Sequence, residues 1–251
     1  MEIRRTIKKT PPRIIIYGQH GEGKSTLAST APKPVFIQTE DGLDTIDADA
    51  FPKASSYEDI IEQLTYIIKA ENFEYKTLVI DSLDWCEKLV NEDICKQNNQ
   101  ESIGDFAYGA GYSKSFTYLT RILKGLDKIR VEKNMAIILI AHAEKTTFQN
   151  PLGLDYDYFK IKLREKNAAI FFEWVDCVGF LHSLISVKSE KGGFNKEIKK
   201  ATGGSTKVFS CFRNPAFESK NRYGIDKDII IPKENGFNNI MAEINNFYES
   251  K

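Results

Sequence analysis

Residues 18–25, Gly-Gln-His-Gly-Glu-Gly-Lys-Ser, fit the pattern G-x-x-x-x-G-K-[ST], with the apolar run 14–17 directly before them and a helix-compatible run starting at Lys24. The glycines let the loop curl until its N–H groups converge, and the following helix adds its positive end, so the segment is suited to cradle phosphate oxygens. Strand, loop and helix in that order imply an α/β fold with a mostly parallel central sheet and the loop at a strand's carboxyl end. The expected nucleotide contacts are Gly18, Gln19, His20, Gly21, Glu22, Gly23, Lys24, Ser25 and Thr26. Lys24 is expected to reach the β- and γ-phosphates of ATP, and Ser25 to offer its hydroxyl to Mg²⁺, a hard cation that takes few protein ligands.

The rest of the chain keeps the rhythm that this loop demands. Short apolar runs at 13–18, 34–39, 77–82 and 135–142 alternate with stretches of helical spacing from Lys24, at 57–70, after Asp81 and at 114–133. Residues 97–112 read as a polar connection, and a long polar loop is expected from His142 to Lys160. A helix follows at 167–174, then strands at 177–187 and 207–212 with turn signals between them for a hairpin, and a terminal helix at 237–248. The predicted organisation is a basic leader, 1–12, and one domain, 13–251.

Two carboxylates stand where the chemistry of such a loop needs them. The run 77–82, TLVIDS, is an apolar strand ending in Asp81, which is expected beside the metal, in competition with a plain helix-capping role. The second strand leads to Glu40, at the sheet edge where ligands of open α/β sheets bind. A general base there would orient and deprotonate the water attacking the γ-phosphate, with Asp41 as the local competitor.

The order and spacing of GQHGEGKST, FIQTEDGLD, LVIDS and IILIAH resemble the RecA-like ATPase core, over most of 13–222. The resemblance implies that Glu40 is the catalytic carboxylate and that His142, where bacterial recombinases carry Gln, senses the γ-phosphate. It also implies that Lys220 and Arg222, in FESKNR, reach into a neighbour's ATP site in a homo-oligomer, a ring or filament. A cation supplied there would stabilise transition-state charge and make hydrolysis depend on assembly. Residues 96–108 and 143–164 correspond in position to the DNA-binding loops of that family. The second interleaves Phe148, Tyr156, Tyr158 and Phe159 with Lys145, Lys160, Lys162 and Arg164, suited to stacking and phosphate contact on single-stranded DNA, or else to a surface loop with its aromatics tucked inward.

GYS at 111–113, EWVDCVGFL at 173–181 and SKNRYGI at 219–225 are similar to phage-encoded RecA-core proteins of single-strand annealing and recombination. That similarity implies ssDNA-dependent ATP hydrolysis, partnership with a single-strand DNA-binding protein, and the cytoplasm of an infected bacterium. A nucleotide-gated module that loads or regulates a replication protein, with little hydrolysis, is the alternative.

Charge does not choose between them, because Lys plus Arg and Asp plus Glu both number 35. Any polyanion surface must be local, and Lys188, Lys191, Lys196, Lys199, Lys200 and Lys207 form the densest cluster, a phosphate guide or a guard against edge pairing. Arg4, Arg5, Lys8, Lys9 and Arg13 fit a DNA arm, a docking strand or a tail equally. Cys86, Cys95, Cys177 and Cys211 show no ligand spacing and read as reduced structural thiols. No apolar run reaches the roughly 18 residues of a membrane span.

Overall fold

The computed structural model describes residues 7–192 and 196–251, without the side chains of 186–202. The P-loop strand β1 (Arg13–Gly18) lies inside a sheet and leads into α1 (Lys24–Ser29). Next come β2 (Pro34–Gln38), the short β3 (Asp49–Ala50), α2 (Tyr57–Lys69), β4 (Thr77–Asp81), α3 (Leu83–Gln97), and α4 (Ala110–Glu132). The second half comprises β5 (Ala136–Phe148), β6 (Tyr156–Ile161), α5 (Glu165–Trp174), β7 (Cys177–Gly192), β8 (Lys196–Ser210), β9 (Lys220–Asn221), β10 (Ile229–Ile231) and α6 (Gly236–Glu249).

The sheet order is β10-β8-β7-β1-β5-β4-β2-β3. The strands from β7 to β3 along that order are mutually parallel, and β8 and β10 add an antiparallel edge. This is the mostly parallel α/β sheet expected. Its strands are apolar on both sides because helices cover both. Ile15 and Tyr17 face α2, α3, α4 and α5 with Leu78, Leu139 and Val178. Ile14 and Ile16 face α1 and α6, where Leu27, Phe237, Ile240 and Ile244 are buried with Val79 and Ile138. The terminal helix thus closes one layer, and Phe237 N–H donates to Thr30 Oγ1 at 3.0 Å.

Three expectations change. The polar loop from His142 to Lys160 is a hairpin: β5 runs on past the sheet to Phe148 and pairs antiparallel with β6, Ala143 opposite Ile161 and Phe148 opposite Tyr156. The strands β7 and β8 are longer than the predicted 177–187 and 207–212 and pair from Phe180↔Ser210 to Gly192↔Lys196. The helix expected at 114–133 begins at Ala110, directly after a turn in which Tyr108 and Gly109 both take positive φ. Residues 10–12 are held on the domain, since Arg130 donates to Pro11 O and Thr10 Oγ1 and Ile137 N–H to Pro12 O. Arg4 and Arg5 lie outside the described residues, as do the side chains of Lys188, Lys191, Lys196, Lys199 and Lys200. All four cysteines are buried and unbridged, and among the described residues no helix is long and apolar enough to cross a membrane.

Candidate nucleotide site

Parallel order brings the carboxyl ends of β1, β4 and β2 side by side with the point, at His142, where β5 runs on past the sheet. Between β1 and α1, Gly21 (φ +77°) and Gly23 (φ +81°) take left-handed backbone that other residues rarely adopt, and this coils the loop into a nest. Gly18 is required for a different reason: a Cβ there would stand 2.4 Å from the Leu181 carbonyl oxygen of β7. The Lys24 ammonium is folded onto the loop, donating to Gly18 O at 3.2 Å and Gln19 O at 3.0 Å. Burial pulls its pKa down, against the pull of Asp81, Asp84 and Glu40.

Ser25 Oγ donates to Asp81 Oδ2 at 2.5 Å, joining the first turn of α1 to the end of β4. Asp81 is buried, and burial pushes its pKa up even with Ser25 and Lys24 beside it. A buried carboxylate and a hydroxyl in contact, on the wall of an open cleft of ≈ 590 Å³, are the sparse oxygen donors that suit Mg²⁺. With the glycine nest and Lys24 on the same cleft, the residues present fit a magnesium-bound nucleoside triphosphate.

Glu40 lies on the same cleft. Thr39 fixes the end of β2 against β4, its N–H donating to Asp81 O (2.8 Å) and its hydroxyl to Ser82 O (2.7 Å). That tie sets where Glu40 begins its turn. Burial raises the Glu40 pKa above the usual carboxylate range. Asp41 lines the same cleft but is largely exposed and pairs with Lys53 at 2.6 Å.

His142 ends the stretch of β5 paired with β1 and stands between two carboxylates, with Nδ1 2.9 Å from Asp84 Oδ2 and 3.9 Å from Glu40 Oε1. Its backbone N–H also donates to Asp84 Oδ1, at 3.0 Å. His20 of the loop stacks on the imidazole, ring centroids 4.0 Å apart, and the charge of His142 lowers the His20 pKa. Asp84 is the residue that sequence reasoning missed. Burial would raise its pKa, but the hydrogen bond and charge of His142 outweigh burial and hold it down.

The other sequence candidates lie elsewhere. Lys220 and Arg222 sit by β9, which pairs with Cys177 and Val178 at the amino end of β7, so they are at the sheet edge opposite to the phosphate loop of their own chain. Lys220 Nζ donates to Phe172 O (2.7 Å) and Glu173 O (2.8 Å) at the end of α5, and Arg222 to Asp176 Oδ1 (3.0 Å). Of the hairpin residues, Lys145 pairs with Asp157 (2.6 Å) and Lys160 with Glu144 (3.0 Å). Phe159 stacks on Phe180 rather than facing solvent. Tyr156 stays partly open against Phe148, Tyr158 meets Phe148 edge-on, and Leu152 and Leu154 at the tip are exposed. Lys162 is exposed, and the Arg164 guanidinium lies 3.9 Å over the Tyr112 ring.

A protein-family model described as "AAA domain" matches residues 10–223. A curated relative, the SPbeta prophage-derived uncharacterized protein YorG of Bacillus subtilis (strain 168), is 29% identical over 133 residues, which is 52% of this chain and 40% of that protein. The match therefore spans less than half of that relative's length. Among solved structures, the RadB recombinase aligns with a TM-score of 0.42 at 15% identity, over 76% of this chain and 87% of its own, a likeness too distant to bear on activity.

Proposed function

The chain belongs to the AAA domain family, and from that premise we propose that it is a nucleotide-binding ATPase whose cleft takes ATP with Mg²⁺ and whose turnover is stimulated by single-stranded DNA. The observation that carries the reading is the convergence on one cleft of Lys24, Ser25 with Asp81, Glu40 and His142, side chains from four separate segments. Bound magnesium would supply charge neutralisation on the phosphates. Lys24 would leave its two loop carbonyls for phosphate oxygens, and Glu40, once deprotonated, would orient and accept a proton from the attacking water. His142, held by Asp84, would respond to whatever occupies the space beside Glu40.

The DNA part of the reading is supported by continuity. The strand that carries His142 runs unbroken into the β5–β6 hairpin, so a ligand on the hairpin and a phosphate in the cleft would bear on one element. Tyr156 and Tyr158 on the hairpin, with Lys162 and Arg164 at its base, offer stacking and phosphate contacts to a strand. A role in phage recombination or annealing, as a homo-oligomer in the cytoplasm with a single-strand DNA-binding protein nearby, goes with this proposal. The prophage-derived relative supports the setting. Trans action of Lys220 and Arg222 in such an assembly is part of the same proposal and would require both to leave their present partners.

The second reading is a nucleotide-gated module that loads or regulates a replication protein with little hydrolysis, and the pairing of Lys145 and Lys160 with acids speaks for it only by leaving the hairpin less free positive charge for DNA. Turnover of ATP with and without single-stranded DNA, with Lys24→Ala as the blank, separates the two. DNA stimulation that disappears in the blank is expected. Tight ATP binding with negligible turnover, unmoved by DNA, would transfer the case to the nucleotide-gated module.

A further inference from the structure

Lys207 lies on β8, opposite Ser183 on β7, just where the pairing of those strands shifts register. Both side chains grip one residue of the phosphate loop. Ser183 Oγ donates to Glu22 Oε2 at 2.9 Å, and Lys207 Nζ stands 3.2 Å from the same oxygen. The lysine also donates to the backbone, to Glu22 O at 2.5 Å and Gly21 O at 3.4 Å. Those carbonyls belong to the peptides whose N–H groups are those of Gly23 and of Glu22, the latter donating within the loop to Gln19 O at 3.4 Å. In a nest the N–H groups converge on the anion and the carbonyls point away from it, so Lys207 sits on the outer side of the loop.

We propose that Lys207 is a positioning residue for nucleotide binding, a cation that acts on the phosphates through the loop backbone. An ammonium on a peptide oxygen polarises that peptide and makes its N–H a stronger donor, as in any chain of hydrogen bonds. Lys24 holds Gly18 O and Gln19 O, so the two lysines secure the loop at two pairs of carbonyls on either side of His20, from different elements. The Glu22 carboxylate keeps the Lys207 ammonium over the loop, and Ser183 keeps the carboxylate in place. The proposal rests on the nucleotide reading of the cleft.

Affinity for Mg–ATP, and separately for adenosine, is measured by calorimetry on wild type, Lys207→Met, Lys207→Arg and Ser183→Ala, with each variant's thermal midpoint taken without nucleotide. Lys207→Met is expected to weaken ATP binding on the order of tenfold, the size of one charge-assisted hydrogen bond. Adenosine binding should not change, since it lacks the phosphates. Lys207→Arg should restore most of the ATP affinity, and Ser183→Ala, which cuts the tether but keeps the cation, should stay within about twofold. Lys207→Met binding ATP as wild type does would overturn the proposal, and so would equal losses in Lys207→Met and Ser183→Ala, which would make the contact a mere tether. Should Lys207→Met fail to fold, Lys207→Gln takes its place with the same criterion. If wild type itself binds no ATP, the cleft reading fails, an outcome distinct from either of these.

Discussion

Glu40 illustrates how one side chain is asked to serve both folding and chemistry. Burial beside the cleft raises its pKa above the ordinary 4.5. A carboxyl whose folded pKa exceeds its unfolded value favours the fold while protonated, and that contribution is lost as the pH rises through the folded pKa. Glu40→Gln removes the ionisation. It is therefore expected to melt higher than wild type near about pH 7, with the advantage disappearing below about pH 4.5, as scanning calorimetry across pH would read. The same variant should keep ATP binding and lose turnover, because glutamine cannot take the water's proton. A variant that melts lower at neutral pH would show that ionised Glu40 is held by stabilising partners. Lys24 and Ser25 were legible in the sequence because they close the G-x-x-x-x-G-K-[ST] pattern, and Asp81, Glu40 and His142 because each stands at the end of an apolar run at the same sheet edge. Asp84 was not, since an acid there reads equally well as a first-turn helix residue interacting with the dipole. Lys207 was read only as one lysine of a basic hairpin, and its place on the phosphate loop was illegible because its contacts with Glu22 span 185 residues.

Among the elements, those whose signals are local formed as read. The second helix, α2, is one: Ser56 accepts from Asp59 N–H at 3.1 Å, and Asp59 in turn accepts from Ser55 N–H at 2.7 Å. This reciprocal cap satisfies backbone donors that a helix start otherwise leaves open. Ser56→Ala should cost about 1 kcal/mol in urea denaturation with an unchanged m-value. A loss near zero would mean that packing of Ile60, Leu64 and Ile67 alone sets the helix. The β5–β6 hairpin was misread as a loop because its pairs are largely polar. Glu144 faces Lys160 and Thr147 faces Asp157, so little apolar period survives, although Asn150, Pro151 and Gly153 mark the turn. Cross-strand ion pairs and the Phe148–Tyr156 contact replace the buried face that normally reveals a strand. The short strands β3, β9 and β10 are two or three residues long and gave no periodic signal at all.

Across the whole molecule the two ends of the sheet divide the work. The nucleotide cleft occupies the carboxyl ends of the strands, and the amino ends are joined by a charged knot around Asp176. That carboxylate accepts from Arg13 at 2.7 Å and from Arg222 at 3.0 Å, and lies 3.8 Å from Arg130, so it connects β1, α4 and the segment after β9. Burial would raise its pKa, but Arg13 chiefly, with Arg130 behind it, holds it below the usual value. A depressed folded pKa gives stability that is present above the unfolded value and lost as the pH falls through the folded one, so the knot should weaken only in acid. Asp176→Ala removes the nearest counter-charge of Arg13 and Arg130, each 14% exposed, and leaves Arg13 only the more exposed Asp127 at 3.7 Å. A buried pair broken in this way costs about 3–5 kcal/mol, and the difference from wild type should shrink as the pH drops below the carboxylate range. The cleft lies roughly 20 Å away along the six residues of β1. Below its melting point the variant should therefore bind Mg–ATP with wild-type affinity. Calorimetric titration at low temperature checks this, and a large loss of affinity there would mean that the amino-end knot and the phosphate loop are coupled through β1.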